Sequence, residues 1–232
     1  MNFLTPTEWA ILGLSLKVSL VAIGLTMPVA YALAWLLARR RFPGRMLLDA
    51  LVHLPLVVPP VVTGWLLLVV FGRQGPVGSV LQDWFGLSLT FRWQGAALAA
   101  SVMALPLMVR AMRLSIEAVD RRLVGAARSL GASRWRAFLT ITLPLSLPGI
   151  LAGAVLGFAR SIGEFGATIT FAANIPGETQ TLPLAIYSGL QVPGMESDVA
   201  RLAVLSIALS LLALLASEWL VRRHQGDRAH VL

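Results

Sequence analysis

Long apolar runs alternate with short basic or polar stretches along this chain, and the runs are apolar on every side rather than at every second residue. Barrel strands alternate apolar and polar positions, so such runs predict membrane helices, each needing roughly 20 residues to cross a hydrocarbon core of about 30 Å. Spans are expected over about 9–38, 47–71, 94–112, 147–165 and 201–220, with Pro28 inside the first. The segment 72–93, rich in glycine and polar residues, reads as a loop. A further apolar stretch, 181–190, is too short to cross and is expected as a re-entrant or surface helix lining protein or water. The expected fold is all-α, a polytopic transmembrane bundle of about five spans with a short outer helix.

Composition agrees: 57% of the 232 residues are hydrophobic and 13% charged, with a mean hydropathy of +0.78, which a water-soluble domain of this length could not keep covered. A net charge of +8 would suggest nucleic acid in a soluble protein, but here the basic residues sit at the ends of apolar runs. Membrane topology accounts for them, so lipid is an expected partner and nucleic acid is not. Arg39, Arg40, Arg41 and Arg45 close the first span, Arg110 to Arg136 follow the third, and Arg222, Arg223 and His224 follow the last. Positive residues collect on the cytoplasmic side, which places the N-terminus outside and the C-terminus inside. The acidic balance of 166–198, with Glu178, Glu196 and Asp198, fits the outer face. The spanning domain is expected over 9–223, with a short cytoplasmic tail at 224–232 and a first run retained as a span rather than cleaved. Trp9, Trp65, Trp84, Trp93, Trp135 and Trp219 read as interface anchors. Without cysteine, the chain offers no disulfide, thiol catalysis or cysteine metal site.

The stretch Asp120 to Pro144 carries the most information. Leu123, Ala126, Ala127 and Leu130 recur on one helical face, with Arg121, Arg122 and Arg128 mostly on others, and Gly131 follows as a C-terminal cap. Ser133 can cap a second short helix through Trp135 and Phe138 to Pro144, making a helix–turn–helix elbow at the membrane surface. On physics alone, a basic amphipathic hairpin resting on anionic lipid explains this stretch equally well.

Gly125-Ala126-Ala127, then Gly131, Ile141 and Leu143-Pro144, resemble the cytoplasmic loop of ABC-importer permeases, in which Glu-Ala-Ala is followed by a glycine and later by Ile-x-Leu-Pro. The resemblance covers nearly the whole chain and implies the MetI-like fold of type-I importer permeases, with the loop as a coupling helix between the third and fourth spans. It makes Gly125, Ala126, Ala127, Leu130, Gly131, Ser133, Leu143 and Pro144 the ATPase-coupling residues. Gly125 stands where the family has glutamate, so no acidic contact is expected there, and the helix is looser by about 1 kcal/mol than with Ala. The segments Arg160-Ser161-Ile162-Gly163-Glu164-Phe165-Gly166-Ala167 and Asn174-Ile175-Pro176-Gly177-Glu178-Thr179-Gln180-Thr181 resemble molybdate permease subunits, and the first is also similar to sulfate and tungstate permeases. The resemblance implies a homodimer with the path at its interface, two copies of an ATPase subunit inside, and an external oxyanion-binding protein. ATP and Mg then belong to the partner ATPase, and this chain binds no cofactor.

Within the fourth span Gly149, Gly153, Gly157, Arg160 and Glu164 fall on one stripe, which must face the bundle or a water-filled path. Two readings of Arg160 and Glu164 stay open: an i,i+4 ion pair that fixes helix register, and an electropositive element of an oxyanion path moderated by the carboxylate. In the second span Pro55, Pro59 and Pro60, followed by Thr63 and Gly64, make either a gate in a broken helix or a static kink. His53 reads as a hydrogen-bonding residue rather than a metal ligand, and Lys17 as a side chain that snorkels outward rather than one that touches substrate.

No Gly-x-x-x-x-Gly-Lys-Ser/Thr loop occurs, so the energy must come from a partner, and no catalytic set converges within the spans. The expected function is that of a non-catalytic permease subunit moving molybdate across the inner membrane by alternating access. Sulfate, thiosulfate and tungstate are the alternatives for the ion. A self-contained secondary transporter would need coupling-ion carboxylates inside several spans, and apart from Glu164 the span interiors nearly lack them.

Overall fold

The computed structural model describes residues 4–229, with side chains described through residue 216. Every regular element among the described residues is helical, as the apolar pattern predicts. Helix α1 (Pro6–Arg39) opens on a capping box: the Thr5 hydroxyl accepts the Glu8 N–H at 3.2 Å, and the Glu8 carboxylate accepts the Thr5 N–H at 2.7 Å. Pro28 lies inside α1 without ending it.

The second expected span is two helices, α2 (Arg45–Val57) and α3 (Pro60–Phe71), turned by 118° at the break between them. The prolines decide where it breaks. Pro59 and Pro60 offer no N–H, and a residue preceding proline is pushed out of the helical region, so Val58 and Pro59 are extended at ψ 138° and 135°. Pro55, by contrast, is accommodated inside α2. The segment expected as a loop, 72–93, contains a helix, α4 (Pro76–Phe85), started by Pro76 in its first turn and stopped by Gly86 at φ +64°. Val77, Val80, Leu81 and Trp84 carry the helical spacing there, a signal masked by the surrounding glycines.

The remaining elements are α5 (Trp93–Ala118), α6 (Arg121–Ser129), α7 (Arg134–Ala137), a π-helical turn at Phe138–Thr142, α8 (Leu143–Ile162), α9 (Gly166–Ala172), α10 (Leu182–Gly189) and α11 (Glu196–Ala229). Helix α10 is the expected short outer helix. Among the described residues four helical runs are long and apolar enough to cross a membrane: α1, α5, the continuous run Arg134–Ile162 and α11 over Glu196–Ala216. The bent pair α2–α3 makes a fifth when counted as one span. The side chains of Arg222, Arg223 and His224, and residues 230–232 of the expected tail, lie outside the described residues.

Helix α5 is the axis: 67% of its apolar stretch is buried, against 6% for α11 at the periphery. Lipid is as apolar as leucine, so helices in a membrane associate through close packing rather than through hydrophobic drive. The chain supplies small residues for it. Ala22, Ala30 and Ala34 of α1 meet Ala96, Ala97, Ala100 and Ala104 of α5 in two buried clusters. Beside that contact on α5, a Cβ on Gly149, Gly153 or Gly157 would fall 2.2 Å from Ser115 Cβ, 3.2 Å from Met112 Cε and 2.7 Å from Met108 Sδ respectively. The expected glycine stripe is therefore the seam between α8 and α5.

Long-range contacts fix the direction of each span. Arg39 at the end of α1 donates to the Ile116 and Val119 carbonyls at the end of α5, at 2.9 and 3.1 Å. Ser115 near that same end donates to the Ser146 carbonyl at the start of α8, and Arg201 near the start of α11 pairs with Glu8 at the start of α1 at 3.0 Å. Helices α1, α5 and α11 thus run one way and α8 the other, the alternation that the loop charges predict.

Candidate functional site

The elbow is built from local capping. Asp120 accepts the Arg122 N–H at 2.8 Å and starts α6. At its end, the Gly131 N–H reaches the Arg128 carbonyl at 3.1 Å and the Ala132 N–H reaches the Ala127 carbonyl at 3.0 Å, a Schellman closure that needs the left-handed backbone of Gly131 at φ +89°. Ser133 then accepts the Arg136 N–H at 3.1 Å and starts α7. The helix continues through the π-helical turn, in which the Leu143 N–H reaches back to the Phe138 carbonyl. Pro144 follows directly, where its ring would strike the Thr140 carbonyl of a regular helix, and the wider turn makes room. The expected junction of elbow and fourth span at Pro144 is thus a continuous helix with a local bulge.

Each predicted coupling residue lies on this exposed device. Gly125 and Ala126 are exposed, Ala127 and Leu143 half-buried, and Gly131, Ser133 and Pro144 exposed. Leu123 is 49% and Leu130 88% exposed, so the apolar face of α6 has no partner among the described residues. A Cβ at Gly125 meets nothing within 4 Å, so no packing demands glycine in that place. From the elbow a file of rings enters the bundle. Trp135 stacks on Phe138 at 5.4 Å, and Phe138 meets Tyr31 and Trp35 of α1 at 6.1 and 6.3 Å.

The second group of predicted residues comes together at two helix breaks that face each other. Gly64 of α3 lies so near α9 that a Cβ would fall 2.7 Å from the Ala167 carbonyl oxygen, and one on Gly166 would fall 2.8 Å from Pro60 Cβ. The break at Pro59 and Pro60 is thereby packed on the break that follows α8. Thr63, buried, lines a cavity of about 170 Å³ in the angle between α2 and α3, together with Leu54, Pro55 and Leu67.

One expectation about this region is corrected. Helix α8 ends at Ile162, with Gly163 as its cap, so Glu164 leaves the glycine stripe and turns into the break. There its Oε1 accepts the Ala167 N–H at 2.8 Å and ties down the first turn of α9. Its Oε2 faces Arg160 Nη1 in an ion pair but takes no well-directed hydrogen bond. Glu164 is 3% exposed, whereas a quarter of the Arg160 side chain remains open.

Asn174 to Thr181 forms a clamp. Asn174 donates to Ser188 of α10, Thr179 accepts the Ile175 N–H at 2.9 Å, Glu178 accepts the Trp93 N–H at 3.4 Å, and Ser15 of α1 accepts the Leu182 N–H at 2.7 Å. The Lys17 ammonium sits 3.7 Å from the centre of the Trp93 ring at the start of α5, a cation–π contact between α1 and α5. His53 hydrogen-bonds the Asp49 carbonyl at 2.8 Å, and Asp49 pairs with Arg113 at 3.1 Å. No group of metal-ligating side chains occurs among the described residues.

A family model described as binding-protein-dependent transport system inner membrane component matches residues 28–225, both breaks and the elbow included. The chain belongs to this family. It is 60% identical to the molybdenum transport system permease protein ModB of Escherichia coli K12, over 94% of this chain and 96% of that one. It is 58% identical to the protein of the same name in Haemophilus influenzae, over 94% and 95%. Among solved structures, a bacterial ABC transporter that imports the acidic polysaccharide alginate matches with a TM-score of 0.72, over 95% of this chain and 81% of that one. At 20% identity that match speaks for the fold alone, which is the fold of an ABC-importer permease.

Proposed function

We propose that this family member is the permease subunit of an ATP-driven importer and carries molybdate across the inner membrane. The observation that carries the coupling part is the elbow, a rigidly capped helix pair projecting an unpartnered apolar face of Leu123, Ala126 and Leu130 from the basic end of the bundle. A face like that on a strongly basic helix suits a groove in a protein partner, here two copies of an ATPase subunit that hold the ATP and Mg. The family description calls for a binding protein, whose place is the opposite end, near Glu8, Glu178 and Glu196. The basic end then lies in the cytoplasm and the N-terminus outside.

Two copies of the chain would enclose the path. Helices α2 and α3 leave Met46, Val57, Val61 and Trp65 exposed, and these are surfaces a second copy or lipid covers. ATP binding draws the elbows together, and the ring file from Trp135 to Tyr31 and the continuous α7–α8 run carry that motion to the bundle. The facing breaks at Pro59, Pro60 and Thr63 and at Arg160 and Glu164 lie where the helices are already interrupted, so they are the positions that open. Arg160 offers the oxyanion a guanidinium whose charge Glu164 partly offsets, so that binding is weak enough for release.

Molybdenum is the element named for the relatives that match nearly end to end, and molybdate is its soluble oxyanion. The test is uptake of labelled molybdate by cells lacking their own permease, supplied with this chain, its ATPase and its binding protein. Uptake should require the ATPase, resist excess sulfate and be lost in Leu130→Glu with the chain still present in the membrane. Uptake abolished by sulfate would reassign the ion, and uptake without the ATPase would end the importer reading.

A further inference from the structure

The two faces of α6 are chemically opposite, and only the apolar one is used by the docking proposed above. At roughly 100° per residue, Leu123, Ala126, Ala127 and Leu130 lie on one side and Arg121, Val124 and Arg128 on the other. The second side looks back at the bundle across a cavity of about 400 Å³. Arg39 and Arg40 from the end of α1 line it, as do Arg121 and Arg128 from α6 and Arg134 from α7, while Trp35 and Phe138 form its apolar wall. None of its lining residues is acidic, and none of the five arginines is ion-paired among the described residues.

Five cations around one small space repel each other, partly screened by water and, for Arg39, offset by Glu117, and an anion between them relieves that repulsion directly. Arg39 cannot swing away, because it holds the two carbonyls at the end of α5. Arg40 lies over the Trp35 ring, at 5.6 Å. Guanidinium groups match tetrahedral oxyanions through paired N–H donors, and the apolar wall beside them suits a ligand with a hydrocarbon part. The cavity lies at the basic end of a membrane-spanning helix, and basic pockets between helices on that side are where anionic lipid headgroups bind.

We propose that this cavity is a binding site for the phosphodiester headgroup of an anionic phospholipid, which fastens the elbow to the end of the first span. The shared chemistry is that of a phosphate-type oxyanion, and the membrane is the source that also supplies acyl chains for Trp35 and Phe138. The lipid and the partner ATPase occupy opposite faces of α6, so both can be bound at once. The site does not depend on which ion is transported, and failure of the uptake experiment would leave it standing.

The test uses the full chain with its ATPase subunit, purified in detergent with equal phosphatidylglycerol and phosphatidylcholine, and native mass spectrometry to read the lipid retained. The wild type should retain phosphatidylglycerol selectively. The double variant Arg121→Gln/Arg128→Gln should lose that preference by about fivefold for each arginine removed, and Arg73→Gln, in the turn before α4, should keep it. Arg134→Gln carries the same test from α7 if the double variant fails to fold. Unchanged preference in folded cavity variants would overturn the proposal. Displacement of the lipid by excess inorganic phosphate, with phosphate itself retained in the complex, would overturn the lipid source and leave a free-anion site.

Discussion

The elbow and the seam between α8 and α5 both depend on glycine, for opposite reasons. In the elbow Gly131 is needed for its backbone, since φ +89° is a conformation that a side chain disfavours, and space is plentiful: a Cβ there meets nothing within 4 Å. In the seam Gly149 and Gly157 have ordinary helical backbone, and the need is for space. The elbow is thus a device made by neighbours in sequence and left open to a partner, whereas the seam is made by residues far apart in sequence and closed to everything. The coupling proposed above would need both, a rigid handle and a bundle it can pull on.

The largest expected effect lies just past the seam, where α8 ends and Glu164 is buried. Glu164→Ala strips Arg160 of its buried partner and α9 of its tether, and should cost about 3 kcal/mol, the lower end for breaking a buried pair because Arg160 is partly open. Thermal unfolding of the purified chain in detergent checks this, and the double change with Arg160→Ala should cost less than the two single costs summed. Next, Gly149→Val forces a side chain into Ser115 and should cost about 2 kcal/mol or more in the same assay. A cost near zero would mean that α5 and α8 are not in close contact.

On the open side the effects shrink. Ser133→Ala removes the cap of α7 and should cost about 1 kcal/mol of local stability, read as faster amide exchange over 134–138 with little change in global unfolding. Smallest, and of opposite sign, Gly125→Ala should stabilise α6 by up to about 1 kcal/mol, because nothing surrounds the added methyl group. Destabilisation there would show that the face is packed and would erase the contrast between the two regions.

The same contrast explains what could be read in advance. The elbow was legible in outline, since Gly131 and Ser133 act within a few residues of themselves and such signals survive without knowledge of the fold, whereas the cap at Asp120 was not read. The helix α4 was also written locally, in Pro76 and Gly86, but its glycine-rich setting reads as loop. The candidate path was legible only as parts. Pro59 and Pro60 announce a break, but nothing local says that the break packs on Gly166. Arg160 and Glu164 sit at helical spacing, which holds for the pair but hides that the helix has ended between them. Lys17 offers no local sign of Trp93, nor Glu8 of Arg201.

The sequence by itself determined that this chain crosses the membrane about five times with one basic end, and where the handle on that end begins and ends. Hydrophobic run length, charge placement and caps are properties of short segments, and they act before any two helices meet. Tertiary structure alone decided which helix is the axis, which breaks face each other and which arginines share a cavity. Runs that are apolar on every side carry no moment to say which face turns inward, so that choice falls to backbone clearance and to the few polar groups that must find partners.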